Sequence, residues 1–273
     1  MKFLNKKFIL LVFSSQFFLA CASFEKAAFW VGENTGNEML MKASGDMTPQ
    51  QEHFLGRSIA AKVVTAKPLV SKKYVNAYVN FVGQYLALHS ERPDLFLGYR
   101  FAVIDDANVS AMAAPGGFII ISRGLIQLMK NEDELAAVLA HEVAHVSHRH
   151  AEKNIKNINQ INLGKDIVKG LSNDPNNKDL KKFSDAIATG LDVTYNKDQE
   201  THADEEALSI LKKAGYAPMA LKNILERLPE NNDLFSKHPR SQARLDNITA
   251  LADGSEVQEN AERQKRFLAN TQF

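Results

Sequence analysis

Residues Glu134–His150 read "ELAAVLAHEVAHVSHRH". Before His141 nearly every position is apolar, so the segment predicts a helix that is hydrophobic on all sides and therefore buried. Into it the sequence puts His141, Glu142 and His145, an H-E-x-x-H pattern. Positions i and i+4 lie about 40° apart on one helix face. Two imidazoles placed so can hold one tetrahedral metal ion, and Glu142 beside the first can reach a water that the metal activates. Buried ionisable groups cost several kcal/mol unless paired or metal-bound, so a shared metal gives these three a reason to be there. The alternative is a pair of ordinary histidines, since the pattern also arises by chance. Asn131 as N-cap with Glu134 three residues on predicts a capping box, and Glu132 and Asp133 suit the start of the helix.

A second stretch, "YNKDQETHADEEALSILKKAG" (Tyr195–Gly215), bears on that choice. Glu200 and Asp204 are four apart, and Ala203, Ala207, Leu211 and Ala214 fall on the same face. Both carboxylates thus point inward, unless the face is a solvated salt-bridge surface. A Glu from a second helix completes a two-His, one-Glu metal site with a fourth position left for water. Asp204, one turn on, can accept the other ring N–H of a ligand histidine and fix its tautomer. Gly215 ends this helix and Pro218 follows.

Outward from these motifs, Gln51 onward and Lys72–Ser90 have helical spacing, the latter through Tyr74, Tyr78, Phe81, Val82, Tyr85 and Leu86. Leu97–Asp105 alternates and predicts a strand, and Gly116–Ser122 predicts a second. Between them "NVSAMAAPGG" holds a short edge strand and a turn at Pro115–Gly117. Helices are predicted over Pro218–Leu228 and from Gln242, with a loop at Ser236–Ser241 and a polar loop at Ser172–Asp179. The fold class is α+β, mainly helical, with a small sheet whose edge strand lies beside the H-E-x-x-H helix. Residues 51–251 form the domain, and 252–273 are expected to be a polar C-terminal segment, a solvated helix or tail.

The N-terminus opens with Lys2, Lys6 and Lys7 and runs apolar from Phe8 to Ala20. That is the form of a secretory signal over residues 1–20, and it is short for a membrane span. Cys21, the sole cysteine, ends the run. "FLAC" reads as a lipobox that makes Cys21 a lipid anchor, the alternative being a plain signal peptide cut after "ACA". Ala22 and Ser23 carry no inner-membrane retention signal, which favours the outer membrane. With one cysteine there is no internal disulfide, and residues 21–50 read as a tether and irregular lead-in. A net charge of +1 gives no reason to expect nucleic acid.

On these motifs, together with "YVNFVGQYLALHSERPDLFLGYRFAVIDDANVSAMAAPGGFIIISRGLIQLMK" and "SKHPRSQARLDNI", the sequence resembles the HtpX-like and CAAX-prenyl-endopeptidase-like zinc metallopeptidases. These are of the gluzincin type, and the likeness is strongest to the secreted BepA-like and LoiP-like envelope branch. The resemblance implies Zn²⁺ on His141, His145 and Glu200, with Asp204 behind them and Glu142 as general base. It also implies that His238, ahead of Pro239, touches the metal in a closed state or stabilises the oxyanion. Arg244 is a second oxyanion or structural candidate. Strand addition along Ala111, Met112, Ala113 and Ala114 would bind substrate. Unfolded or misassembled envelope polypeptides are the implied substrates, and residues 157–192 are a candidate lid. His148, His150 and His202 are set aside as bystanders. Two departures stand out: the chain ends too soon for the helical-repeat domain of BepA-like members, and Lys197 and His202 replace the usual Arg and Glu. The competing readings are a non-hydrolytic, zinc-containing assembly factor and a structural zinc protein with a closed four-ligand site.

Overall fold

A computed structural model describes residues 47–159, 178–252 and 260–273. The signal segment, Cys21, nearly all of the tether, residues 172–177 of the polar loop, residues 160–177 of the candidate lid and residues 253–259 lie outside the described residues. Among the described residues no helix is long and apolar enough to cross a membrane.

Helix α1 (Pro49–Ala66) starts at Thr48, whose hydroxyl accepts from the Gln51 N–H while the Gln51 side chain accepts from the Thr48 N–H. That reciprocal cap satisfies two otherwise open donors. Helix α2 (Lys73–Ala87) departs from the expected apolar pattern. Val75, Tyr78, Val79, Val82 and Leu86 enter the core, whereas Tyr74, Phe81 and Tyr85 are exposed. At about 100° per residue these form two separate stripes, and only one meets the sheet and the central helix.

Strands β1 (Arg100–Ile104), β2 (Ala111–Ala114) and β3 (Phe118–Ser122) form a sheet of order β1-β3-β2. β1 runs parallel to β3 with Phe101 opposite Ile119, and β2 runs antiparallel to β3 with Ala113 opposite Ile119. β2 is therefore an edge strand, as expected. The turn after it, Pro115–Gly117, sits hard against α1 at Gly56. A Cβ on Gly56 would lie 1.7 Å from the Pro115 carbonyl oxygen, so only glycine allows the approach.

After α3 (Arg123–Leu128) comes α4 (Glu132–Ser147), every residue of which is buried. Then follow α5 (His150–Asn159), α6 (Lys178–Leu191), α7 (Lys197–Ala214), α8 (Ala220–Arg227), α9 (Asp233–Lys237), α10 (Gln242–Leu251) and α11 (Ala261–Asn270). α4 runs through the centre, with α7 packed along it and α2, α8, α11 and the sheet around it. The main core gathers on these elements, while a smaller one joins Leu55, Ile59, Ile155, Ala186 and Tyr195 below the end of β2.

Three expectations are corrected here. The cap of α4 is half a capping box: Asn131 accepts from the Glu134 N–H, but the Glu134 carboxylate takes the Lys130 N–H and Arg227 instead. Ser236 and Lys237 of the expected loop belong to the short helix α9, and the loop proper starts at its C-cap, His238. Of the two forms expected for the end of the chain, the helix is present, but it is docked rather than solvated, because Phe267 is buried in the main core and Arg266 reaches Glu132 on α4.

Candidate metal centre

α4 supplies His141, Glu142 and His145 from its second half, and α7, crossing alongside, supplies Glu200. Nε2 of His145 lies 3.0 Å from Nε2 of His141. One Glu200 oxygen is 3.3 Å from the His145 Nε2 and the other is 3.5 Å from the His141 Nε2. His238, delivered by the α9–α10 loop, brings Nδ1 to 3.3 Å from the His141 Nε2 and 3.1 Å from Glu200. The four side chains are buried and offer donor atoms within 4.8 Å of one another. Imidazole nitrogens facing each other and a carboxylate cannot all be satisfied by the few protons between them. Three imidazoles and one carboxylate fit a single divalent cation.

The supports are as specific as the donors. Asp204 lies 3.0 Å from the His141 Nδ1, which leaves Nε2 for the cluster. Arg244 donates to both Asp204 oxygens at 2.8 Å, pairs with Glu200 at 2.5 Å and donates to the Pro239 carbonyl at 2.9 Å. The Arg244 guanidinium thus lies buried between the two carboxylates. His150 is closer to the centre than expected, with its Nδ1 3.0 Å from that of His145. His148 is turned away, onto Glu206 at 3.0 Å.

Charge follows this geometry. Burial alone would lower the His141 pKa, but the Glu200 and Asp204 carboxylates outweigh it and hold it up at about 10. His145 is pushed well below its ordinary value by burial. Burial would raise both Glu200 and Asp204, yet the first is held low by His238 and His141 and the second by His141 and Arg244. Glu142 is different. Burial pushes its carboxyl up, and among the described residues neither of its oxygens has a hydrogen-bond donor.

Tyr195, just before the N-cap of α7, was not anticipated. Its ring stacks on His145 with centroids 3.8 Å apart, and its hydroxyl donates to the Ala113 carbonyl at 3.4 Å. A solitary aromatic between polar residues at a helix start was the available signal. The Leu234 N–H donates to the Val109 carbonyl at 2.9 Å on the same side. Ala111, Ala113 and Ala114 are buried and Met112 is partly so. On the edge that strand addition would use, the Ala113 carbonyl is already taken by the Tyr195 hydroxyl.

Residues 69–252 match peptidase family M48. The chain is 24% identical over 204 residues to the beta-barrel assembly-enhancing protease of Yersinia pestis, covering 72% of this chain and 41% of that one. To metalloprotease YcaL of Escherichia coli strain K12 it is 27% identical over 157 residues, 56% of this chain and 61% of the relative. The mitochondrial metalloendopeptidase OMA1 of Schizosaccharomyces pombe is 30% identical over 159 residues, 56% of this chain and 46% of the relative. The chain thus spans less than half the length of the beta-barrel assembly-enhancing proteases it matches.

Proposed function

The chain belongs to peptidase family M48, and on that premise we propose that it is a zinc-dependent endopeptidase of the bacterial cell envelope. Its substrates are unfolded or misassembled envelope polypeptides, and Cys21 is its lipid anchor. The envelope assignment rests on the basic and apolar N-terminal run and on the assembly-enhancing relatives.

Glu142 carries the catalytic reading. It is fully buried, and among the described residues its carboxylate has no hydrogen-bond donor, a condition that costs several kcal/mol and that a purely structural centre has no use for. His141, His145 and Glu200 would hold Zn²⁺, with His238 as a fourth donor in the closed arrangement. The ion supplies Lewis-acid polarisation of the scissile carbonyl and makes water reactive near neutral pH. Glu142 takes the proton of the attacking water at its carboxylate and passes it to the leaving amine; burial, by raising its pKa, strengthens it as a base. His238 Nε2 lies 3.5 Å from Glu142, so a ring displaced from the donor set keeps an N–H near the developing oxyanion. Asp204 and Arg244 orient His141 and Glu200. Substrate adds along β2 as an extra strand, which requires the Tyr195 hydroxyl to leave the Ala113 carbonyl.

A second reading, a non-hydrolytic zinc-containing assembly factor, is favoured by the four-donor set and by the Tyr195 hydroxyl on the Ala113 carbonyl. Casein cleavage separates the two. The endopeptidase loses cleavage on chelation and regains it when zinc is restored. Absence of cleavage from the zinc-loaded chain leaves the assembly factor.

A further inference from the structure

Two of the histidines that the metal centre leaves over, His148 and His202, meet at one end of the same helix pair. His148, the C-cap of α4, sets Nε2 3.0 Å from Oε2 of Glu206 on α7. Glu206 is only 6% exposed. Its Oε1 accepts the Glu91 backbone N–H at 2.9 Å, but Oε2 accepts no well-aligned hydrogen bond. The Glu91 carboxylate comes in from the loop after α2, and Glu91, His148 and Glu206 offer donor atoms within 4.8 Å of one another. His202 precedes Glu206 by one turn on the same face of α7, with its ring centroid 5.9 Å from that of His148. None of these residues belongs to the first centre.

We propose that Glu91, His148 and Glu206 form a second divalent-cation site, which clamps α4 to α7. Two carboxylates and one imidazole suit zinc, cobalt(II) or manganese(II). A plain His148–Glu206 ion pair would leave the Glu91 carboxylate against that of Glu206, and like charges at this range repel; a cation removes the conflict. Because Glu91 is exposed and His148 partly so, the ion exchanges with solvent, binds more weakly than at the buried centre and keeps water ligands. The clamp lies three residues past His145 and six past Glu200, so it fixes the crossing of the two helices that carry them.

The test is equilibrium dialysis of the full chain, stripped of metal and reloaded with zinc alone at neutral pH, with bound zinc counted per chain. The wild type should plateau at two, and Glu91→Gln and His148→Gln should each plateau at one with unchanged circular dichroism. The thermal midpoint should rise between the first and second equivalents in the wild type and stay flat in both variants. A wild-type plateau at one, or variants that still take up two, overturns the proposal. Absence of proteolysis would leave this count untouched, so the two conclusions fail separately.

Discussion

The two halves of α4 each bury three ionisable residues and treat them in opposite ways. At the start stand Glu132, Asp133 and Glu134, each with an arginine. Glu132 takes Arg266 at 2.6 Å and the hydroxyls of Tyr78 and Tyr216 at 2.9 Å. Asp133 takes Arg263 at 2.8 Å and the Ala217 N–H at 3.0 Å, and Glu134 takes Arg227 at 2.8 Å. The helix N-terminus adds its own positive field. Seven residues after Glu134 the chain buries His141, Glu142 and His145, and among the described residues no arginine or lysine pairs with Glu142, whose carboxylate faces the His238 ring at 3.5 Å. Within α4, the buried acids matched by arginine tie the helix to its neighbours, and the buried acid without one is the residue proposed as general base. Burial would raise Glu132, but Arg266 and the two tyrosines hold it below 4.5, whereas Glu142, without them, goes up.

The largest test of this contrast is His145→Ala. It should abolish bound zinc at the buried centre and reduce casein cleavage to background, read by metal analysis and peptide release. At the other end, Arg266→Met should cost about 1–2 kcal/mol, because it strips the partly exposed arginine from a buried carboxylate that keeps its two tyrosine hydroxyls. Urea unfolding measures that loss, and activity per folded molecule should survive it. Asp204→Asn should weaken zinc binding about 10–100-fold, since it loosens the orientation of His141 without removing a donor.

The smallest effect is in pH. The folded pKa of Glu132 lies below the ordinary value of 4.5. Its stabilisation is therefore present above that value and lost as pH falls through the folded pKa. The stability gap between wild type and Arg266→Met should narrow on acidification below about pH 4.5. A gap that widens would contradict the pairing.

What was legible in the sequence was what repeats locally. The H-E-x-x-H turn, the Glu200–Asp204 pair, the edge strand and the Gly215 stop all rest on spacings of one to four residues. What was missed depends on distant partners. "AERQKRFLAN" carries one large aromatic among charges and reads as a solvated helix or tail, yet Arg263 and Arg266 answer Asp133 and Glu132 some 130 residues earlier. The second apolar stripe of α2 looks like core until the neighbouring elements are known. His150 and Tyr195 gain their places against His145 only through the return of α5 and the approach to α7.

The most direct measurement is Glu142→Gln, followed for cleavage, zinc content and stability in the same preparation. Cleavage should fall about 10²–10⁴-fold, bound zinc should match the wild type, and the urea midpoint should not fall, because an unpartnered buried acid has been replaced by a neutral amide. Full cleavage would contradict the catalytic role, and a loss of stability as large as that of Arg266→Met would mean that Glu142 belongs to the scaffold.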